Sequence, residues 1–374
     1  MTRPRAYFIN GGAGRVIASI PAFEQLAKVD KDFIIVCEGG SDLYRGHPVL
    51  DRRVFEHWHK GLFNDHLKHR DLITPEPYRV WEYYNQKCSL AQAFDIAINN
   101  QGVRNLPPPS LHLNKMEIAD AYKITQDIRS KLGFEKLVVV QPFGRSVSNS
   151  GGLIVDPTSR SIAQQDLIEL VNILKKDYGV VVMSELGDVL GDSNQGVAQP
   201  RIPHIRIWAA VIELSDHFIG CDSVGQHIAR ALGKTATVVT GSTFPINVSY
   251  PDCSDFDIID AGAKTRQYSP IRISMEDHIE RNNDQCMELT SDMKSQILKS
   301  ARKRLGKSVK SSAKNTTLSP NYTNTHSHHE HVLTCDTAVR PEPGFAMNPI
   351  SQTITAENTY MKPAESITLT ATGV

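Results

Sequence analysis

Three short segments of this chain, Phe33–Cys37, Leu137–Val140 and Val180–Met183, are apolar at every position. A strand with one wet face alternates apolar and polar residues. A strand with no polar position must be covered on both faces, which is the condition of a parallel sheet flanked by helices. The neighbouring sequence supplies the helices. Ala6-Tyr-Phe-Ile-Asn10 is a short strand run ending on Gly11-Gly12-Ala13-Gly14, and Val16, Ile17, Ile20, Phe23 and Leu26 then recur at helical spacing. The run at 33–37 follows, closed by Glu38-Gly-Gly40. A strand, loop, helix and strand of this length imply parallel strands joined by a right-handed crossover.

Further along, Val54-Phe55 reads as a short strand, 62–94 as broken helix around Pro75 and Pro77, and Phe94–Ile98 as another strand. Asn105-Leu-Pro-Pro-Pro-Ser110 marks an irregular crossing. A helix over 117–132 stops at Gly133, after which the alternation restarts with a strand at 137–141, a helix at 163–176 and a strand at 180–183. Strands at 217–220 and 235–240 flank a helix at 223–232. The chain has 374 residues, enough for two cores. It therefore divides into two doubly wound α/β domains, 1–132 and 133–306, with the ligand cleft between them outside the carboxyl ends of the strands. Residues 307–374 hold 19 Ser/Thr and three aromatics, too little apolar surface to offset ordering, and read as a disordered tail.

Composition narrows the function classes. The 41 Lys+Arg balance 41 Asp+Glu, so no overall charge draws the chain to nucleic acid or anionic membrane. No apolar run approaches a spanning helix, and the six cysteines form no CxxC pair. A soluble, reduced, cytoplasmic protein is expected. The 294–314 segment carries eight Lys/Arg and no acid, which is a solvated helix face or a peripheral contact with an anionic surface.

The richest constellation is Phe218-Ile-Gly-Cys-Asp222-Ser223-Val-Gly225-Gln-His227-Ile-Ala-Arg-Ala-Leu-Gly233-Lys, followed by a strand and Gly241-Ser242-Thr243. A strand ends at Gly220, Asp222 or Ser223 caps the next helix, and Gly233 terminates it. First-turn amides then point at the cleft, where a phosphate binds, and 241–243 adds backbone and hydroxyl donors.

This segment resembles the nucleotide-sugar site of the heptosyltransferase family, glycosyltransferase family 9. Asp222, Ser223, His227, Ala229, Ala231-Leu-Gly-Lys234, Gly241 and Thr243 fall in the family's register. Gly14-Arg15-Val16-Ile17 through Pro21-Ala22 and Leu26 is similar to its first-helix motif, and His47-Pro48-Val49-Leu50-Asp51 to its Asn-Pro turn. The resemblance spans about 6–275. It implies a GT-B architecture of two Rossmann-like domains, the first binding the acceptor (a glycan, glycolipid or other hydroxyl) and the second the nucleotide-sugar, with inverting, metal-independent transfer. No cofactor is implied beyond the nucleotide-sugar substrate. Asp222, Ser223, Gly225, His227, Gly241, Ser242 and Thr243 are the implied donor contacts, and Gly11, Gly12 and Gly14 the cleft loop. Asp222 would fix the loop and sugar hydroxyls, and His227 would bond the donor sugar or phosphate.

Two departures matter. The family's Lys early in the second domain is absent, leaving Arg160, with Arg145 second, to meet the leaving diphosphate. At the family's catalytic Asp stands Arg15, which cannot be deprotonated. A cation there would hold an anionic acceptor or leaving phosphate at the cleft. The base must otherwise be Glu38, Asp42, His57, His59 or Asp65, or chemistry has been lost. Val224 also replaces a family glycine. The rival readings are a non-catalytic nucleotide-sugar or glycan-binding module and a GT-B sugar-nucleotide epimerase.

Weaker signals stay weak. Gly11–Gly14 lacks the third glycine of a dinucleotide fingerprint. Histidines at 47, 57, 59, 66 and 69 show no metal spacing, and His326–His331 is polar low-complexity sequence. Asn247, Asn315 and Asn321 head glycosylation sequons that mean little without a secretory leader.

Overall fold

The computed structural model describes residues 3–150, 153–266 and 287–306. In chain order its elements are β1 (Arg5–Ile9), α1 (Ala13–Val29), β2 (Phe33–Cys37), β3 (Val54–Glu56), β4 (Asp71–Ile73), α2 (Trp81–Tyr84), α3 (Leu90–Asn99) and α4 (Lys115–Leu132). There follow β5 (Leu137–Gln141), β6 (Ser148–Ser150), β7 (Leu153–Val155), α5 (Gln164–Leu174), β8 (Gly179–Val182), α6 (Ile205–Leu214), β9 (His217–Gly220) and α7 (Val224–Ala231). The last are β10 (Ala236–Thr240), α8 (Pro245–Val248), β11 (Phe256–Asp260) and α9 (Ser291–Leu305).

Two parallel sheets organise these elements. The first runs β3-β2-β1-β4 and the second β11-β10-β9-β5-β8, while β6 and β7 form a small antiparallel pair. Every residue of β2, β5, β8 and β10 is buried, including Gln141, Thr237 and Thr240 within otherwise apolar runs. Each sheet reverses its winding once. In the first, β2 and β3 build outward from one side of β1 and β4 returns on the other. In the second, β8 lies on one side of β5 and β9 on the other. Crevices open at such reversals because successive crossovers leave on opposite faces.

Phe94–Ile98 is not a strand but the core stripe of α3. Ser89 and Gln92 form a reciprocal capping box at its start, and Asn100 adopts a left-handed cap at its end. A short, mostly apolar run cannot by itself separate a buried strand from a buried helix face; here the cap decides. The strand that completes the sheet is β4, a three-residue segment beside β1.

α1 packs on α3 and on α7, so one apolar cluster runs from Tyr7, Ile17 and Phe23 to Phe218, Ile228 and Val238. α4 lies against α6. Arg206 of α6 secures this junction. Its Nε and Nη2 donate to the two carboxylate oxygens of Glu117 on α4, at 2.6 and 2.8 Å. Nη2 also donates to the His112 carbonyl, and Nη1 to the carbonyls of Asp42 and Arg45. Asn247 of α8 adds a second tie, donating from Nδ2 to the carbonyls of Tyr83 and Cys88. Its side chain is buried, so this sequon is closed to glycosylation in the folded chain. Asn315, Asn321, the histidine-rich 326–331 run and the whole 307–374 segment lie outside the described residues.

The basic helix is turned toward its own domain. Lys294 bonds Asp166 and Glu169, Arg302 bonds Asp177, Lys303 faces Asp257, and Arg304 faces Asp255 and Asp257. Four of the five cations within 294–306 are thus paired with carboxylates of the same half, and 307–314 lies outside the described residues. No helix among the described residues is long and apolar enough to cross a membrane.

Removing one partner of the Arg206–Glu117 pair leaves a buried charge unmatched. Glu117→Ala should cost about 3–5 kcal/mol, seen as a marked fall in melting temperature, while the paired change Arg206→Met with Glu117→Leu should cost far less. Equal losses in the two proteins would contradict this account of the junction.

Candidate active site

Both winding reversals place polar groups at the same junction. At the second sheet, Gln141 ends β5 opposite Gly220, which ends β9. The chain then turns through Cys221 and Asp222 into α7, whose N-cap is Ser223. The expected capping is replaced by a different device. The Ser223 hydroxyl does not cap its own helix; it accepts from Gln141 Nε2 at 3.1 Å, while Gln141 Oε1 accepts the Gly225 N–H at 2.8 Å. Gly225 is required by this contact, since a Cβ there would collide with Gln141 Oε1 and the Phe218 ring. Gln141 is therefore a site residue that the motif reading passed over, because it arrives from a strand some eighty residues earlier.

Asp222 is buried and held from three sides. Oδ2 accepts from the Thr243 hydroxyl at 3.0 Å and lies 3.9 Å from Arg160 Nη1, while Oδ1 accepts from Gln226 Nε2 at 3.3 Å. Arg160 in turn donates from Nε to Thr158 Oγ1 and from Nη2 to Ser146 Oγ. Its loop is organised by Asp156, whose carboxylate accepts the backbone N–H groups of Thr158, Arg160 and Ser161. Burial pushes that carboxyl up, but bonds from Ser161 and Thr158 and the Arg160 charge bring it below the ordinary carboxylate value. Burial also works against the Arg160 cation, and the charges of Asp222 and Asp156 more than offset it.

The 241–243 loop is more occupied than expected. Ser242 is fully buried, its hydroxyl donating to the Thr158 carbonyl and its N–H to the Ser159 carbonyl. With the Thr243 hydroxyl on Asp222, both side-chain donors are engaged internally. Gly241 packs against Met287 and the Ser159 carbonyl and accepts from Arg266 Nε, so this loop braces the Arg160 loop.

His227 faces the first domain. A methyl group added to Gly14 would lie 3.1 Å from its Cδ2 and 3.6 Å from its Nε2, and its Nδ1 shares a 2.7 Å hydrogen bond with Tyr250. Burial lowers its pKa to about 4, with Asp222 opposing, so the ring is neutral near pH 7. Burial likewise keeps the Tyr250 hydroxyl protonated. Gly12 is the N-cap of α1, within reach of Arg145 Nη1, and the Gly11 N–H donates to Glu38 Oε2 at 2.7 Å.

Arg15 does not project into the gap. It is only 7% exposed, its guanidinium lies over the rings of Tyr78 (4.9 Å) and Phe94 (5.6 Å), and Nη1 is 3.5 Å from Glu76 Oε1. Aromatic faces and a carboxylate attract the cation more than solvent does. Its Nε and Nη2 are buried with no hydrogen-bond partner among the described residues. Of the other candidates, Asp42 pairs with Arg45, and burial raises its pKa. His59 lies against Phe55 and His66 beside the edge strand β3, where His57 donates its N–H to the Cys37 carbonyl. Asp65 sits by Gly61 on that edge. His47 is structural: its Nδ1 accepts the N–H groups of Val49 and Leu50, so Nε2 carries the proton and donates to Glu24 at 2.9 Å. No group of three or more His, Cys, Asp or Glu among the described residues could hold a metal ion.

No protein-family model matches the chain, and no curated protein matches it. Solved structures do. The chain is similar to a glycosyl transferase family 9 structure from Veillonella parvula DSM 2008, at 15% identity over 81% of this chain and 97% of that one, with a TM-score of 0.56. It is also similar to the iron-containing dodecameric glycosyltransferase TibC from enterotoxigenic E. coli H10407, at 10% identity over 81% and 77%, with a TM-score of 0.53. At such identities the likeness establishes the fold, which is GT-B.

Two outcomes test this geometry. Gln141→Leu strands the Gly225 N–H and should cost roughly 1–3 kcal/mol, read as a lower melting temperature. His227 and His217, the latter buried between Thr235 and Thr237, both have pKa values lowered to about 4 by burial. Their stabilising neutrality is complete above the unfolded value near 6.5 and is lost as pH falls toward 4. The urea midpoint should fall through that window, and a flat midpoint from pH 7 to 4.5 would be inconsistent with it.

Proposed function

We propose that the chain is a heptosyltransferase-like glycosyltransferase, passing a sugar from a nucleotide-sugar to an acceptor hydroxyl on a glycan, glycolipid or similar molecule, with inversion and without a metal ion. The observation that carries the reading is the meeting of both winding reversals: Asp222, Arg160 and the start of α7 from one sheet face the Gly12–Gly14 start of α1 from the other. The fold likeness to glycosyltransferases supports it.

In this reading the leaving diphosphate lies between Arg160 and the first turn of α7. Leaving-group departure builds negative charge, and a cation fixed beforehand by Thr158 and Ser146 stabilises that charge without reorganising. Asp222 holds the Arg160 side, and neutral His227 offers a hydrogen bond without adding charge. Ser242 and Thr243 serve as bracing under Arg160. Although TibC is described as iron-containing, the cationic role here is assigned to Arg160.

Calorimetry against ADP, UDP and GDP and their sugars tests the reading. One family of nucleotides should bind, Arg160→Ala should weaken it roughly 10–100-fold, the range for hydrogen bonds to a charged group, and sugar transfer should survive EDTA. Absence of binding to every nucleotide at millimolar concentration would dismiss it.

A further inference from the structure

Transfer to a hydroxyl needs a group that takes its proton, and α1 offers a guanidinium where a carboxylate would serve. We propose that Glu76 is that proton acceptor and that Arg15 is its positioning residue; this rests on the transferase reading above. Three observations carry it. First, the strands flanking the winding reversal of the first sheet are β1 and β4, and Arg15 follows one while Glu76 lies three residues past the other. Both therefore stand at the carboxyl-end crevice of that sheet, where ligands of such folds bind. Second, the 76–78 turn lies at the junction of the two halves. Glu76 faces Arg15, which stands one residue after the Gly14 that abuts His227 of the second half. Third, the carboxylate is fixed yet open. Its Oε1 faces Arg15 and the Tyr78 N–H, Oε2 has no partner among the described residues, and the side chain is 26% exposed. By contrast, Glu38 is tied to the Gly11 N–H and Asp42 to Arg45.

Arg15 itself is too enclosed to touch a substrate, but burial against Tyr78 and Phe94 makes it a rigid anchor for a carboxylate. The step balances simply. As the acceptor oxygen bonds to the anomeric carbon, its proton passes to Glu76, and the bond from that carbon to the diphosphate oxygen breaks. The electron pair leaves with the nucleoside diphosphate, facing Arg160.

The test measures nucleoside diphosphate release from ADP-, UDP- and GDP-linked sugars and ADP-heptose, with water or methyl glycosides as acceptor. Glu76→Gln should lower kcat roughly 10²–10⁴-fold, the contribution of a positioned base, while ADP, UDP or GDP binding by calorimetry stays within about twofold. Glu76→Asp should recover part of the rate, which also covers the case in which the Gln variant does not fold. Arg15 on α1 is the charged side chain within ion-pair distance of Glu76 among the described residues. Arg15→Ala should lower kcat while nucleotide affinity stays within about twofold, and Arg15→Lys should recover part of the rate. Full turnover in Glu76→Gln overturns the assignment alone. Wild-type protein that binds a nucleotide-sugar without ever releasing its nucleotide overturns the transferase reading, and this assignment with it.

Discussion

The junction of the two sheets rests on a buried guanidinium whose hydrogen-bonding capacity is used in full. Arg206 directs its donors to two carboxylate oxygens and three carbonyls, drawn from α4, the 42–45 turn and the stretch before α4. Withdrawing any of these leaves an unpaired polar group in a dry place, so the arrangement is held as a set. Everything at the candidate site depends on that registry. The start of α1 meets the start of α7 with α6 fastened behind them to α4 and the 42–45 turn, together with the shared apolar cluster and the Asn247 tie.

Arg15 is the instructive contrast. It is equally enclosed, but two of its nitrogens lack partners among the described residues, and its ion pair reaches a carboxylate at 3.5 Å that is itself partly open. Buried polar groups left unmatched are uncommon in interiors, and they concentrate where a protein keeps something in reserve for chemistry. One guanidinium is thus finished and fastens the two halves, while the other is left with donors to spare.

Much of the fold is legible in the sequence, because strands without polar positions allow few alternatives, and Gly133 marks a helix end in the usual way. The Asp222–His227 segment can be found from local pattern, since a strand, a turn and a helix start lie within ten residues. What escapes is whatever arrives from a distance. Gln141 caps α7 from another strand, Asp156 shapes the Arg160 loop through backbone bonds, and Glu76 reaches Arg15 across a sheet reversal made by a three-residue strand. The fate of Arg15 could not be read either: a lone cation after a glycine loop looks exposed until Tyr78 and Phe94 are placed around it.

The contact between Gly14 and His227 reaches beyond this one molecule. The space at position 14 is bordered by an imidazole from the other domain, so a side chain there would press on the ring and ask it to give by a few tenths of an ångström. In related chains that keep this junction, a larger residue at 14 would call for room at 227. Their joint history would record how closely the two halves have been pressed, even in relatives whose substrates have diverged.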